Sequence, residues 1–111
     1  MFNIFALKTN IPDESARIIY IYNDQKVNIL LSDEESDIIR NIFNNRKLYS
    51  DNPSCGFTQN VSVRFNELIF CIACDNCPII KLRNKYFKIS SEDREVVNQI
   101  FEKYNGIFPC L

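Results

Sequence analysis

Three of the five cysteines in this sequence stand at Cys71, Cys74 and Cys77, spaced C-x2-C-x2-C, while Cys55 and Cys110 bracket the C-terminal half. Thiolates ligate zinc and iron–sulfur clusters and exchange disulfides. Each of these chemistries needs the sulfurs in one place. Residues three apart in an extended strand point to opposite faces, so these three thiols converge only if the backbone curls. Asp75-Asn76 and Pro78 are residue types that permit a curl. A closed zinc site of four cysteines would use Cys71, Cys74 and Cys77 with Cys110, or Cys55, as the fourth ligand. The usual zinc pattern has two separated knuckles rather than three evenly spaced cysteines.

Two further readings stand beside zinc. Thiol exchange wants a C-x2-C at a helix N-terminus, which lowers a thiol pKa; here the motif follows a strand and precedes Pro78. Free cysteine is also among the most buried residue types. Cys71 between Phe70 and Ile72, and Cys55 before Gly56-Phe57, fit that description.

The segment Cys71-Ile-Ala-Cys-Asp-Asn-Cys77 resembles the cluster loop of bacterial ferredoxins. There C-x2-C-x2-C and a remote Cys-Pro cysteine hold an iron–sulfur cluster. By that resemblance Cys71, Cys74, Cys77 and Cys110 would be the ligands of a redox or sensor protein. The match covers about eight residues and departs from the ferredoxin loop. Asp75 stands where glycine is usual, and the proline follows the third cysteine. The wider pattern CGF, CxACDxCP and FPC over residues 55–111 resembles small Cys-rich proteins of low-GC bacteria, and that resemblance implies no activity.

Composition narrows the function classes. The sequence has 111 residues and no histidine. The usual base near neutral pH, and the Ser-His and Cys-His nucleophile pairs, are therefore missing. Gly56 and Gly106 are the two glycines, which leaves no Gly-rich phosphate loop. The net charge is −1, with 13 basic and 14 acidic residues. The most basic window, Lys81-Leu-Arg-Asn-Lys85, reads as a hairpin tip. Nucleic acid is accordingly not expected as a partner. Met1 to Lys8 is too short and polar for a signal peptide. No apolar run approaches the ~18 residues that a membrane span needs. A cytoplasmic protein is expected, with free, metal-bound or redox-active thiols rather than a disulfide framework.

The elements that must position the cysteines follow from patterning. Phe2–Leu7 reads as a short strand. Arg17–Tyr22 and Val27–Leu31 form a hairpin about Asn23–Lys26. Ser32-x-x-Glu35 is a capping box that opens a helix over about 33–45, with Ile38, Ile39, Ile42 and Phe43 as its buried stripe. Residues 46–58 read as a polar loop. Val61, Val63 and Phe65 alternate with polar residues, as in a half-buried strand. Leu68–Ala73 is apolar on both faces, as a central strand would be. Ile79–Leu82 and Tyr86–Ile89 make a last hairpin. Ser90 opens a second helix over about 91–104, which Asn105-Gly106 ends.

Residues 32–43 and 90–101 align at an offset of 58 with four identities in twelve, and each helix follows a hairpin. A duplicated hairpin–helix unit would give this pattern; so would any two amphipathic helices that begin with a capping box. In either case the expected fold is α+β. A mainly antiparallel sheet carries two helices on one face, in a single domain over residues 1–111.

These exclusions point away from an enzyme and toward a small protein-binding or inhibitory module. Immunity proteins and phage-encoded inhibitors of host defence are of that kind. The edge strands and the 46–58 loop would supply its contact surface, and the cysteine cluster a structural zinc. The competing reading is an iron–sulfur or thiol redox protein built on Cys71, Cys74, Cys77 and Cys110.

Overall fold

The computed structural model describes residues 11–75 and 77–106. The expected strand at Phe2–Leu7 and the residue Cys110 lie outside them. The fold is α+β. One antiparallel sheet contains β1 (Arg17–Tyr22), β2 (Gln25–Leu30), β3 (Lys47–Tyr49), β4 (Ser62–Phe65), β5 (Leu68–Ile72), β6 (Ile79–Leu82) and β7 (Lys85–Lys88). Among the described residues, two helices, α1 (Asp33–Asn44) and α2 (Ser91–Lys103), accompany it. The strand order is β2-β1-β4-β5-β6-β7-β3, so that, among the described residues, β5 is the central strand and β2 and β3 are the edges.

Three tight hairpins build most of the sheet. Two-residue turns suit the strand twist when their residues take left-handed φ, a conformation that asparagine and aspartate tolerate. Asn23 (φ 53°) and Asp24 (φ 62°) do this between β1 and β2, and Asn66 (φ 55°) does it between β4 and β5. Arg83 (φ 57°) takes the same conformation between β6 and β7, without the local hydrogen bonding that helps asparagine.

Strand alternation sends one set of side chains to the helices. Ile18, Tyr20, Val63, Phe65, Phe70, Ile72, Ile80, Leu82 and Phe87 join Ile39, Ile42, Phe43, Val97, Ile100 and Phe101 of the helices in one core. Phe43 packs on Phe70 with ring centroids 4.8 Å apart, and Phe101 meets Tyr20 edge-on at 6.2 Å. Ile38, expected in the α1 stripe, is instead 38% exposed. The helix turns so that Glu35, Ser36, Ile39, Ile42 and Phe43 face inward.

Both helix starts behave as the sequence dictates. Ser32 Oγ accepts from Glu35 N at 3.1 Å while Glu35 Oε1 accepts from Ser32 N at 3.2 Å. Ser90 Oγ accepts from Asp93 N at 3.0 Å. At the end of α2 the left-handed residue is Asn105 (φ 75°), not the glycine. Gly106 N donates to Phe101 O at 2.8 Å and Asn105 N to Glu102 O at 3.0 Å, the paired bonds of a Schellman cap. Gly106 is needed for proximity: a Cβ there would stand 2.9 Å from Phe101 O.

Each helix is preceded by a hairpin and tied to it in the same way. Leu31 N donates to Ala16 O, and Ile89 N to Pro78 O, both at 2.9 Å. In each case the residue before the helix cap is bound to the residue before the hairpin. The offset of 58 places α1 on α2 and β2 on β7.

One element departs from expectation. Residues 46–58 are not all loop, because Lys47–Tyr49 pairs with β7 as edge strand β3. Three residues are too few to carry a periodic signal, and their pairing is fixed by β7 rather than by local sequence.

Candidate functional site

The three clustered cysteines end in three different environments. Cys71 lies within β5 on the face away from the helices, in register with Ser62 of β4 and Lys81 of β6. It is buried and free. Cys74, three residues on, is free and packs against the core on the helix side. Cys77 is disulfide-bonded to Cys55, 22 residues away in sequence, with Cα atoms 6.8 Å apart. The strand geometry that sends residues three apart to opposite faces therefore persists through Cys74. Among the described residues, the ligand atoms of Cys71, Cys74 and Cys77 are not grouped together, and Cys110, the other expected ligand, lies outside those residues. One disulfide thus stands beside two free thiols, where free, metal-bound or redox-active thiols rather than a disulfide framework were expected.

The curl that the sequence leaves open is made by an arginine. Arg94 of α2 is 1% exposed. Its Nη1 donates to Cys77 O at 2.6 Å, and its Nη2 donates to Ala73 O at 2.6 Å and to Asp75 O at 2.8 Å. Nε donates to Asn98 Oδ1 at 2.8 Å, which fixes the plane of the guanidinium. A rigid fork of donors suits such a carbonyl cage, and an ammonium group could not reproduce it. Asp75 Oδ1 also accepts from Cys77 N at 3.0 Å, closing an Asx turn.

Cys55 reaches this turn from the 50–60 segment, which lies against the sheet face opposite the helices. The Phe57 ring contacts Tyr86 with centroids 5.5 Å apart. Gln59 O accepts from Ser62 Oγ at 2.9 Å and from Arg64 Nη2 at 3.4 Å. A cleft of about 210 Å³ remains between the segment and the sheet, lined by Phe57, Gln59, Ile69, Cys71, Lys81 and Arg83 among others. Burial pushes the Cys71 thiol up, and the nearby charges of Lys81 and Arg64 offset only part of that.

Among the described residues, one group has metal-ligating atoms close together. The ligand atoms of Cys55, Asp75 and Cys77 all lie within 4.8 Å of one another. This group could hold a metal, and its two sulfurs are joined in the disulfide. The sequence signals two of its members, Cys77 and Asp75, within one turn. The third comes from 22 residues away, and no spacing rule selects Cys55 over Cys110.

The sheet face away from the helices also brings together residues that linear windows miss; Ile19, Ser62 and Cys71 in it are buried, and Glu67 joins Cys71 and Lys81 in lining the cleft there. One row across the strands runs Ile19, Ser62, Cys71, Lys81, Tyr86, Tyr49. The rows beside it carry Leu30, Arg17 and Arg64 on one side and Lys88 and Lys47 on the other. With Lys26 beside Ile21, the face away from the helices holds six basic residues. The described strands contain no Asp or Glu. The helices hold eight of the chain's fourteen acidic residues: Asp33, Glu34, Glu35, Asp37, Glu92, Asp93, Glu95 and Glu102. Ile21 (46% exposed) and Leu30 (55%) lie among the basic residues at the β1–β2 end.

No described helix is long and apolar enough to cross a membrane. No family model, curated protein or solved structure matches the chain.

Proposed function

We propose that the chain is a protein-binding module that docks an acidic protein surface on the part of the sheet face away from its helices that the 50–60 segment leaves exposed. An inhibitor or immunity protein would work in this way, by occupying a partner rather than by catalysis. The observation that carries the reading is the segregation of charge. Six basic residues share one sheet face whose strands have no carboxylate, while the helices on the other side are acidic. Such a face attracts and orients an anionic partner before contact. The exposed Ile21 beside Lys26 and Leu30 beside Arg17 add apolar area to a polar surround, the make-up of a protein contact. The acidic helix layer and the net charge of −1 argue against a nucleic-acid duplex, which needs many uncompensated cations.

The test is capture with charge-reversed baits. Wild-type protein should retain an acidic partner that salt elutes. A Lys47→Glu/Lys81→Glu/Lys88→Glu variant should lose it, and a Glu92→Lys/Glu95→Lys variant should keep it. Capture that survives reversal of the basic face would overturn the reading, as would capture abolished by nuclease.

A further inference from the structure

We propose that Cys55, Asp75 and Cys77 form a zinc site that opens when their disulfide is reduced. The inference is independent of what the sheet face binds. It rests on two anchored pieces of backbone that meet at the two sulfurs.

On one side, the carbonyls of Ala73, Asp75 and Cys77 are held by the buried Arg94 guanidinium. The Asx turn fixes Asp75 against Cys77 N through Oδ1, which leaves Oδ2 for a metal. On the other side, Cys55 is carried by a segment that Phe57 fastens to Tyr86 and that Ser62 and Arg64 fasten through Gln59 O. None of these contacts involves sulfur, so cutting the S–S bond leaves both anchors in place. The two thiolates then need to move only to the separation of about 3.8 Å that Zn–S bonds of about 2.3 Å and a tetrahedral angle require. The ligand atoms already lie within 4.8 Å of one another. Asp75 is exposed and both cysteines are partly exposed, so metal and a water ligand can enter.

The donor set selects the metal. Two thiolates and one carboxylate suit zinc, whereas magnesium and calcium take oxygen ligands. Three protein ligands leave the fourth position to water. The steps balance as follows. Two equivalents of a small thiol reduce the protein disulfide, giving two cysteine thiols and one small-molecule disulfide. One Zn2+ then displaces the two thiol protons to solvent. In the oxidised protein the Cys55 and Cys77 sulfurs are bonded to each other, and neither is available as a thiolate ligand.

The test is anaerobic titration of reduced, reductant-free protein with Zn2+ against a chromophoric chelator. Co2+ serves as a second probe, since thiolate ligation gives it charge-transfer absorption. The expected result is one zinc per chain in the reduced protein and none in the oxidised protein. Asp75→Asn, an exposed substitution that leaves the fold intact, should weaken zinc about tenfold. Cys55→Ser should weaken it by a larger factor, and Cys71→Ser should leave it unchanged. Three results would overturn the proposal: no zinc taken up by reduced protein, equal uptake by oxidised protein, or uptake that survives Cys55→Ser but is lost in Cys74→Ser or Cys110→Ser. Should Cys55→Ser fail to fold, the Co2+ spectrum of the wild type and the Asp75→Asn ratio still decide the matter.

Discussion

Two residues show how one side chain sets the surroundings of the cysteines. Arg94 is the cation around which the turn at Asp75 is wrapped, and its guanidinium is held by three backbone carbonyls of that turn. Lysine would keep the charge but lose the planar fork. Arg94→Lys is therefore expected to cost about 2–4 kcal/mol, because carbonyls and a charge are left buried and poorly paired; urea unfolding measures this. Cys71 is the opposite case, a thiol made inert by its position. Burial under the 50–60 segment raises its pKa, and the thiolate is the reactive form. With a thiol alkylating reagent at pH 8, peptide mapping should find Cys74 modified well before Cys71. Early labelling of Cys71 would mean that the segment does not close over it.

At the scale of elements, Glu35 joins the two helices. Its Oε1 accepts from Tyr104 OH at 2.6 Å and its Oε2 from Lys103 Nζ at 2.8 Å, besides capping its own helix. Tyr20 OH in turn donates to Tyr104 O. Burial pushes the Glu35 carboxyl up, but the hydrogen bonds from Lys103, Tyr104 and Ser32 outweigh it and bring the pKa down to about 2. A lowered pKa means that the carboxylate stabilises the fold. That contribution is complete above the ordinary value of 4.5 and is lost as pH falls from there through about 2. Glu35→Gln is expected to cost about 1–2 kcal/mol at pH 7. It should also flatten the loss of stability between pH 4.5 and about 2, as read from urea midpoints across that range. The disulfide acts between elements too, since it closes a separation of 22 residues from the 50–60 segment to the turn after β5. Chain entropy assigns such a closure about 3 kcal/mol. Metal-free reduced protein, and Cys55→Ser, should both unfold at lower urea by that amount.

These elements differ in how far the sequence reveals them. Helix starts are local: Ser32 and Glu35 sit one turn apart and satisfy each other, so a four-residue pattern suffices. Hairpins are nearly as local, because Asn23-Asp24 and Asn66 supply their own turn chemistry. Strand β3 escapes notice because Lys-Leu-Tyr is a strand only beside β7. The cysteines mislead for a related reason. Their even spacing suggests convergence, yet alternation along the chain parts Cys71 from Cys74, and a distant segment pairs with Cys77. Arg94, which shapes the turn, stands 17 residues beyond Cys77 on an otherwise ordinary amphipathic helix.

For the whole molecule the governing feature is how charge is distributed, and sequence windows are blind to it. Strand alternation places Arg17, Lys26, Lys47, Arg64, Lys81 and Lys88 on one face although no two of them are adjacent in sequence. The capping requirement at helix starts loads acid onto the other layer, with Asp33, Glu34 and Glu35 in the first turn of α1 and Glu92 and Asp93 in that of α2. The result is a nearly neutral chain with two oppositely charged sides. Neutral net charge then removes non-specific attraction at long range, and orientation comes from the difference between the sides. If the basic face carries the proposed docking, ionic strength should act mainly on how fast partners meet. Exposed charges are screened over about 10 Å at 0.1 M salt, so the association rate with an acidic partner should fall by about tenfold or more from low to physiological salt. Dissociation, governed by the close contacts around Ile21 and Leu30, should change much less. Stopped-flow or surface-capture kinetics across a salt series separates the two rates. An association rate indifferent to salt would place the contact elsewhere on the molecule, whatever the affinity.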